Sequence, residues 1–142
     1  MDRATVLRRI DAMEQMLRDL RNDVLAEDRQ DGEFVEIGRQ GSWSLKMIQD
    51  LYPLIEHMPG VIALFDLSAE RAPDIVTFRE VLNRSGLSEK QQSGDHARLS
   101  WVTKRLFDGE KKWPLETWQA ADGESHYRMP TRIAQWWRAT RP

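Results

Sequence analysis

A mainly α-helical chain with a C-terminal β-hairpin is the fold class that this sequence predicts, and three observations predict it. An apolar seam with heptad spacing runs through residues 1–25. Capped, amphipathic segments follow from Trp43 onward. The stretch "WPLETWQAADGESHYRMP", residues 113–130, then carries Asp-Gly between two short alternating runs.

The first helix is written by Val6, Ile10, Met13, Leu17, Leu20 and Val24, spaced 4, 3, 4, 3, 4 as in the a and d positions of a coiled coil. Charged residues fill most of the rest of the segment. An isolated helix of this length is marginal in water, so the seam needs a cover. A second copy of the chain and the body of the same chain are the two candidates, and the narrowness of the stripe favours the second copy. Residues 26–42, "AEDRQDGEFVEIGRQGS", are polar and Gly-punctuated and read as a linker, with Phe34, Val35 and Ile37 as a packing tag or short strand. Residues 43–142 form the main domain.

Within that domain "SWSLKMIQDLYPLIEHMPG" has a helical pattern, which Pro53 should break or kink. The run Val61–Phe65 is apolar on every side, as suits a central, covered helix. In "DIVTFREVLNRSG", Thr77 and Glu80 have capping-box spacing and Gly86 is placed to end the helix. "GLSEKQQSG" reads as a nine-residue turn. The next helix, residues 95–108, takes Asp95 as its N-cap and Gly109 as its stop. Leu99, Val102 and Leu106 mark its buried face, with Ala97, Ser100, Trp101, Lys104 and Arg105 opposite.

Asp122-Gly123 as a two-residue turn pairs Trp118 with Tyr127 and Thr117 with Arg128. Trp118, Tyr127 and Met129 then share an inner face, and Thr117, Gln119, His126 and Arg128 an outer one. A terminal helix follows, capped by Thr131, with Ile133, Trp136 and Trp137 on one side.

Composition narrows the function classes. A length of 142 residues with 40% hydrophobic and 31% charged side chains suits one globular domain with an appendage. No apolar run approaches the roughly 20 residues of a membrane-spanning helix, and the start "MDRATVLRRIDAMEQ" lacks a signal-peptide block. Zero Cys excludes disulfides and Cys-based zinc sites and suits a cytoplasmic location. Net charge is −2, yet residues 86–142 carry ten basic against seven acidic side chains. That basic third supplies a local footprint for a polyanion. There is no G-x-S-x-G and no phosphate-binding Gly loop, and His57, His96 and His126 sit in no H-x-x-x-H pattern. The expectation is a non-enzyme with no cofactor and no metal.

The order of helix, helix, capped basic helix and hairpin resembles the winged helix-turn-helix superfamily over residues 59–130. "VIALFDLSAERAPDIVTFREVLNRSGLS" is similar to its first two helices, "DHARLSWVTKRLF" to its recognition helix and "EKKWPLETWQAADGESHYRMP" to its wing. The nine-residue turn departs from the usual three or four. The resemblance implies a dimeric, sequence-specific binder of double-stranded DNA, a transcriptional regulator reading palindromic sites with helix 95–108 and wing 110–130. It assigns His96, Arg98, Ser100, Trp101, Lys104 and Arg105 to the duplex, with Lys111, Lys112 and Arg128 on flanking phosphates. Trp101 has an alternative role covering a seam beneath the wing or on a partner subunit. Trp136 and Trp137 join the N-terminal seam as dimerisation or core residues. The alternative is a winged-helix module for protein–protein assembly, centred on Trp101 and the wing. A small-molecule sensor would instead need a pocket near Trp43, Tyr52 and Phe65.

Overall fold

Helix α1 spans Arg3–Asp31, 29 residues without a break. The computed structural model describes residues 2–31, 33–109 and 112–142, and only the backbone of 19–31. Residues Met1–Glu33 and Phe34–Pro142 are two separate compact units. The helix runs past the expected boundary at 25 because the first Gly or Pro of the chain is Gly32. Val6, Ile10, Met13 and Leu17 of the predicted seam are exposed, Leu17 at 66%. The side chains of Leu20 and Val24 lie outside the described residues.

The second unit begins inside the expected linker. Val35–Glu36 (β1) and Ser42–Trp43 (β2) pair antiparallel around a 3-10 turn at Gly38–Gln40. The linker reading of 26–42 fails at its N-terminal end, where α1 continues to Asp31, while the short strand expected within it is present at Val35–Glu36 and Ile37 beside it is wholly buried, Phe34 being exposed. Trp43 is wholly buried too and meets Phe107 edge-on at 5.1 Å. Helix α2 (Leu45–Ile55) is capped by Ser44, whose Oγ accepts the Met47 N–H. It passes through Pro53, which stands in the last turn, where only one intrahelical bond is lost.

Helix α3 (Pro59–Arg71) is the covered helix expected from its sequence, with Val61, Leu64, Phe65 and Ala69 buried. It packs against α4 (Phe78–Ser85), α5 (Glu89–Leu106) and α6 (Thr131–Thr140). Asp66 on α3 anchors α6: it accepts the Trp137 Nε1–H at 2.8 Å and pairs with Arg141 at 2.9 Å. Trp136 and Trp137 are core residues, 4% and 1% exposed, so the dimerisation role is withdrawn from both. Thr131 is the first residue of α6 rather than its cap, which falls to Pro130.

Thr77 and Glu80 form the expected capping box on α4, and Gly86 closes that helix at φ 71°. Ahead of it, Ile75–Thr77 (β3) adds a strand that the sequence reading did not assign. With Glu116–Gln119 (β4) and Ser125–Arg128 (β5) it makes an antiparallel sheet of order β3-β5-β4. The hairpin is one residue out of the predicted register: Trp118 faces His126 and Thr117 faces Tyr127. The cause is the loop. The Gly123 N–H donates to Ala120 O, and of the Asp-Gly pair Gly123 alone takes positive φ, 83°. This is a three-residue loop in which a left-handed glycine follows a β-turn, not a two-residue turn. A slip of one residue reverses a strand's faces, so Trp118 joins His126 and Arg128 outside while Tyr127 stays buried.

Helix α5 departs furthest from the expected bounds. It starts at Glu89, with Ser88 and Gln91 forming a capping box, so Asp95 lies inside the helix. Asp95 is nevertheless a cap. Its Oδ2 accepts the Gly60 N–H at 2.7 Å, in the first turn of α3, while Gln92 Nε2 donates to Gly60 O at 2.9 Å. A Cβ on Gly60 would stand 2.7 Å from that carboxylate oxygen and 2.9 Å from Asp95 Cβ. Gly60→Ala is therefore expected to lower stability by about 1–3 kcal/mol. Gly94→Ala, in open space on α5, should raise it by up to about 1 kcal/mol. Urea unfolding of both variants checks the pair; equal effects would remove the clamp's role.

Candidate nucleic-acid interface

Three residues, Gly86, Leu87 and Ser88, separate α4 from α5. The nine-residue turn is thereby corrected, because six of its residues are the first turns of α5. The clamp on Gly60 fixes the rotation of the helix. Gln92, Asp95, Leu99 and Thr103 turn inward and are buried. Lys90, Ser93, Ala97, Arg98, Trp101, Lys104 and Arg105 are exposed. Trp101 is 68% exposed, and Lys104 Nζ stands 6.0 Å from the centre of its ring. The one exposed carboxylate on the helix is Glu89, at its first turn, where it also suits the helix dipole.

Of the nine residues assigned to DNA, Arg98, Trp101, Lys104 and Arg105 lie together on this stripe. Arg98 also donates to Asp95 Oδ1 at 3.2 Å. Ser100 is half-buried, and its Oγ accepts the Trp113 Nε1–H at 3.2 Å, which ties α5 to the chain entering the hairpin. Lys112 is half-buried with its Nζ 6.0 Å from the Phe107 ring centre. Lys111 falls outside the described residues. Arg128 pairs with Glu116 at 2.7 Å and lies 5.6 Å from the Trp118 ring centre, which occupies it at the sheet's outer face. Ala97 is exposed as expected, whereas Lys90 and Ser93 were missed; the Ser88–Gln91 capping-box spacing was the signal that would have found them.

His96 leaves the interface altogether. Its ring lies among Phe78, Trp113 and Tyr127, each edge-on at 5.6–5.8 Å. Gln92 Nε2, a donor only, is 2.7 Å from His96 Nε2, so that ring nitrogen accepts and the imidazole is neutral. Burial lowers its pKa from 6.5 to about 4, against an opposing pull from Asp95. Burial likewise pushes the Tyr127 phenol up to about 12.

The hairpin tip has the opposite charge to α5. Asp122 is exposed, and its Oδ1 accepts the Glu124 N–H at 2.9 Å. Glu124 Oε1 in turn accepts the Arg79 N–H in the first turn of α4 at 3.1 Å. Among the described residues, no helix is long and apolar enough to cross a membrane. Trp43 and Phe65 are core side chains, and Tyr52 packs half-buried against the same core. Compared with known proteins, the chain matches no family model, no curated protein and no solved structure.

The lowered His96 pKa makes stability depend on pH. The unfolded chain takes up this proton near pH 6.5 and the folded chain only near pH 4, so the contribution is complete above pH 6.5 and is lost as pH falls towards 4. The loss is on the order of 3 kcal/mol. Urea midpoints between pH 7 and 4 should fall more steeply for the wild type than for His96→Leu; parallel curves would refute the assignment.

Proposed function

We propose that residues 59–130 are a winged helix-turn-helix domain that binds double-stranded DNA through the exposed stripe of α5, and that α1 joins two copies into a dimer. The observation that carries this reading is the three-residue turn, which sets α5 against α4 and presents Arg98, Trp101, Lys104 and Arg105 on one face. Lys90 extends the stripe at the N-terminal end, and the small side chains of Ser93 and Ala97 allow close approach to a groove. The hairpin beside it would serve as wing, with its outer face turned to phosphates. The exposed seam of α1 supports the dimer, since a lone helix of this kind is marginal without a partner. Two α5 helices related by a dyad would read an inverted repeat, the basis for a role in transcription regulation.

A second reading rests on Trp101. A Trp this exposed at the centre of a helix face is the usual anchor of a protein interface, and the stripe would then bind a protein. The two readings separate in one assay. Lys104→Ala with Arg105→Ala should weaken DNA binding and make the slope of log K against log salt shallower by about 2. Binding equal to wild type in that double variant would favour the protein-interface reading.

The dimer has its own test. Light scattering should give twice the 16.6 kDa chain mass for the wild type and a single chain for Ile10→Glu with Leu17→Glu. A variant that stays dimeric would rule out α1 as the joint.

A further inference from the structure

We infer that the hairpin tip is a binding site for a first-row divalent transition-metal ion, held by Asp122, Glu124 and His126. One ligand atom from each side chain lies within 4.8 Å of the other two. Around a tetrahedral ion with bonds near 2.1 Å, such donors stand about 3.4 Å apart, a gap that side-chain rotation closes.

The backbone brings the three together. Glu124, immediately before β5, continues its pairing through the Ala120 N–H, so it shares a face with His126 two residues on. Asp122 reaches them from the loop through its bond to the Glu124 N–H. The Arg79 N–H steadies the Glu124 carboxylate through Oε1 and leaves its other oxygen for a metal. Trp118, edge-on at 5.8 Å, orients the His126 ring. This D-x-E-x-H spacing follows a strand, and so it escapes a search for helical ligand patterns.

Charge points the same way. Among the described residues neither Asp122 nor Glu124 makes an ion pair, so two carboxylates converge with no cation between them. One imidazole with two carboxylates suits Zn²⁺, Mn²⁺, Fe²⁺, Co²⁺ or Ni²⁺, whereas Mg²⁺ and Ca²⁺ take oxygen donors. Three protein donors leave positions open to water or to an incoming oxygen ligand. On the DNA-binding reading, on which this consequence alone rests, the ion removes the negative charge of the tip and offers an open position to a backbone phosphate.

Calorimetric titration of ZnCl₂ and MnCl₂ into the untagged full chain tests the site. The wild type should bind one ion of at least one of these metals. Asp122→Asn and His126→Ala should each weaken that binding by about tenfold or more, a loss at least as large as that of a ligand's supporting partner. Asp122 is exposed and His126 half-buried, and circular dichroism of the variants checks that they fold as the wild type does. A wild type that binds neither metal overturns the proposal, as do variants that bind with wild-type affinity. The titration contains no DNA, and DNA binding by α5 is measured in EDTA, so either reading can fail alone.

Discussion

Gly60 is held from both sides of its peptide by one helix. Its N–H is taken by Asp95 and its C=O by Gln92, two side chains three residues apart on α5. The first turn of α3 has backbone donors that its own helix leaves unpaired, and Met58 offers no side-chain cap there. A charge-assisted bond from a buried carboxylate answers one of them where water cannot reach. The absence of a side chain on Gly60 lets the two helices come this close, and the helices that pack on α3 inherit the placement.

The clamp also decides what α5 shows to solvent. With Gln92 and Asp95 turned inward, the 100° step of the helix sends Leu99 and Thr103 into the core and carries Trp101 and Lys104 out. His96 is drawn in by the same rotation and closes the gap between α5, the hairpin and α4 with an uncharged ring. The candidate interface is therefore the complement of a packing constraint. Altering the clamp would turn the stripe as well as loosen the core.

Much of this was legible in the sequence where the signal was local. The Thr77–Glu80 box, the covered α3, the first helix and the existence of the hairpin all depend on neighbours within a turn or a strand pair. What escaped depended on distance or on a choice between near-equal local forms. Asp95 has the chemistry of an N-cap and serves as one, but the N–H it caps belongs to Gly60, 35 residues earlier. Asp-Gly fits both a two-residue turn and the last two residues of a three-residue loop. The difference of one residue exchanged the faces of Trp118 and Thr117. The strand Ile75–Thr77 is three residues long and gains its identity only by pairing with β5. At the interface the outward side of α5 was read correctly from Trp101 to Arg105, whereas its N-terminal half was hidden by the misplaced start.

The charge pattern argues for a division of labour between helix and hairpin. Lys90, Arg98, Lys104 and Arg105 give α5 a surplus of positive charge over about 1.5 Å of rise per residue, dense enough to follow a phosphate backbone or an acidic partner. The hairpin supplies no comparable surplus: Arg128 is already paired with Glu116, and Asp122 and Glu124 stand at the tip. On the DNA-binding reading, attraction of the duplex would fall to α5, and the hairpin would act by position, through its hold on Arg79 and on the aromatic cluster around His96. On that reading, an uncompensated pair of carboxylates beside a basic helix would oppose the same ligand that the helix attracts. A cation bound between them would turn that opposition into a condition for binding, which is why the tip and the helix belong to one electrostatic problem.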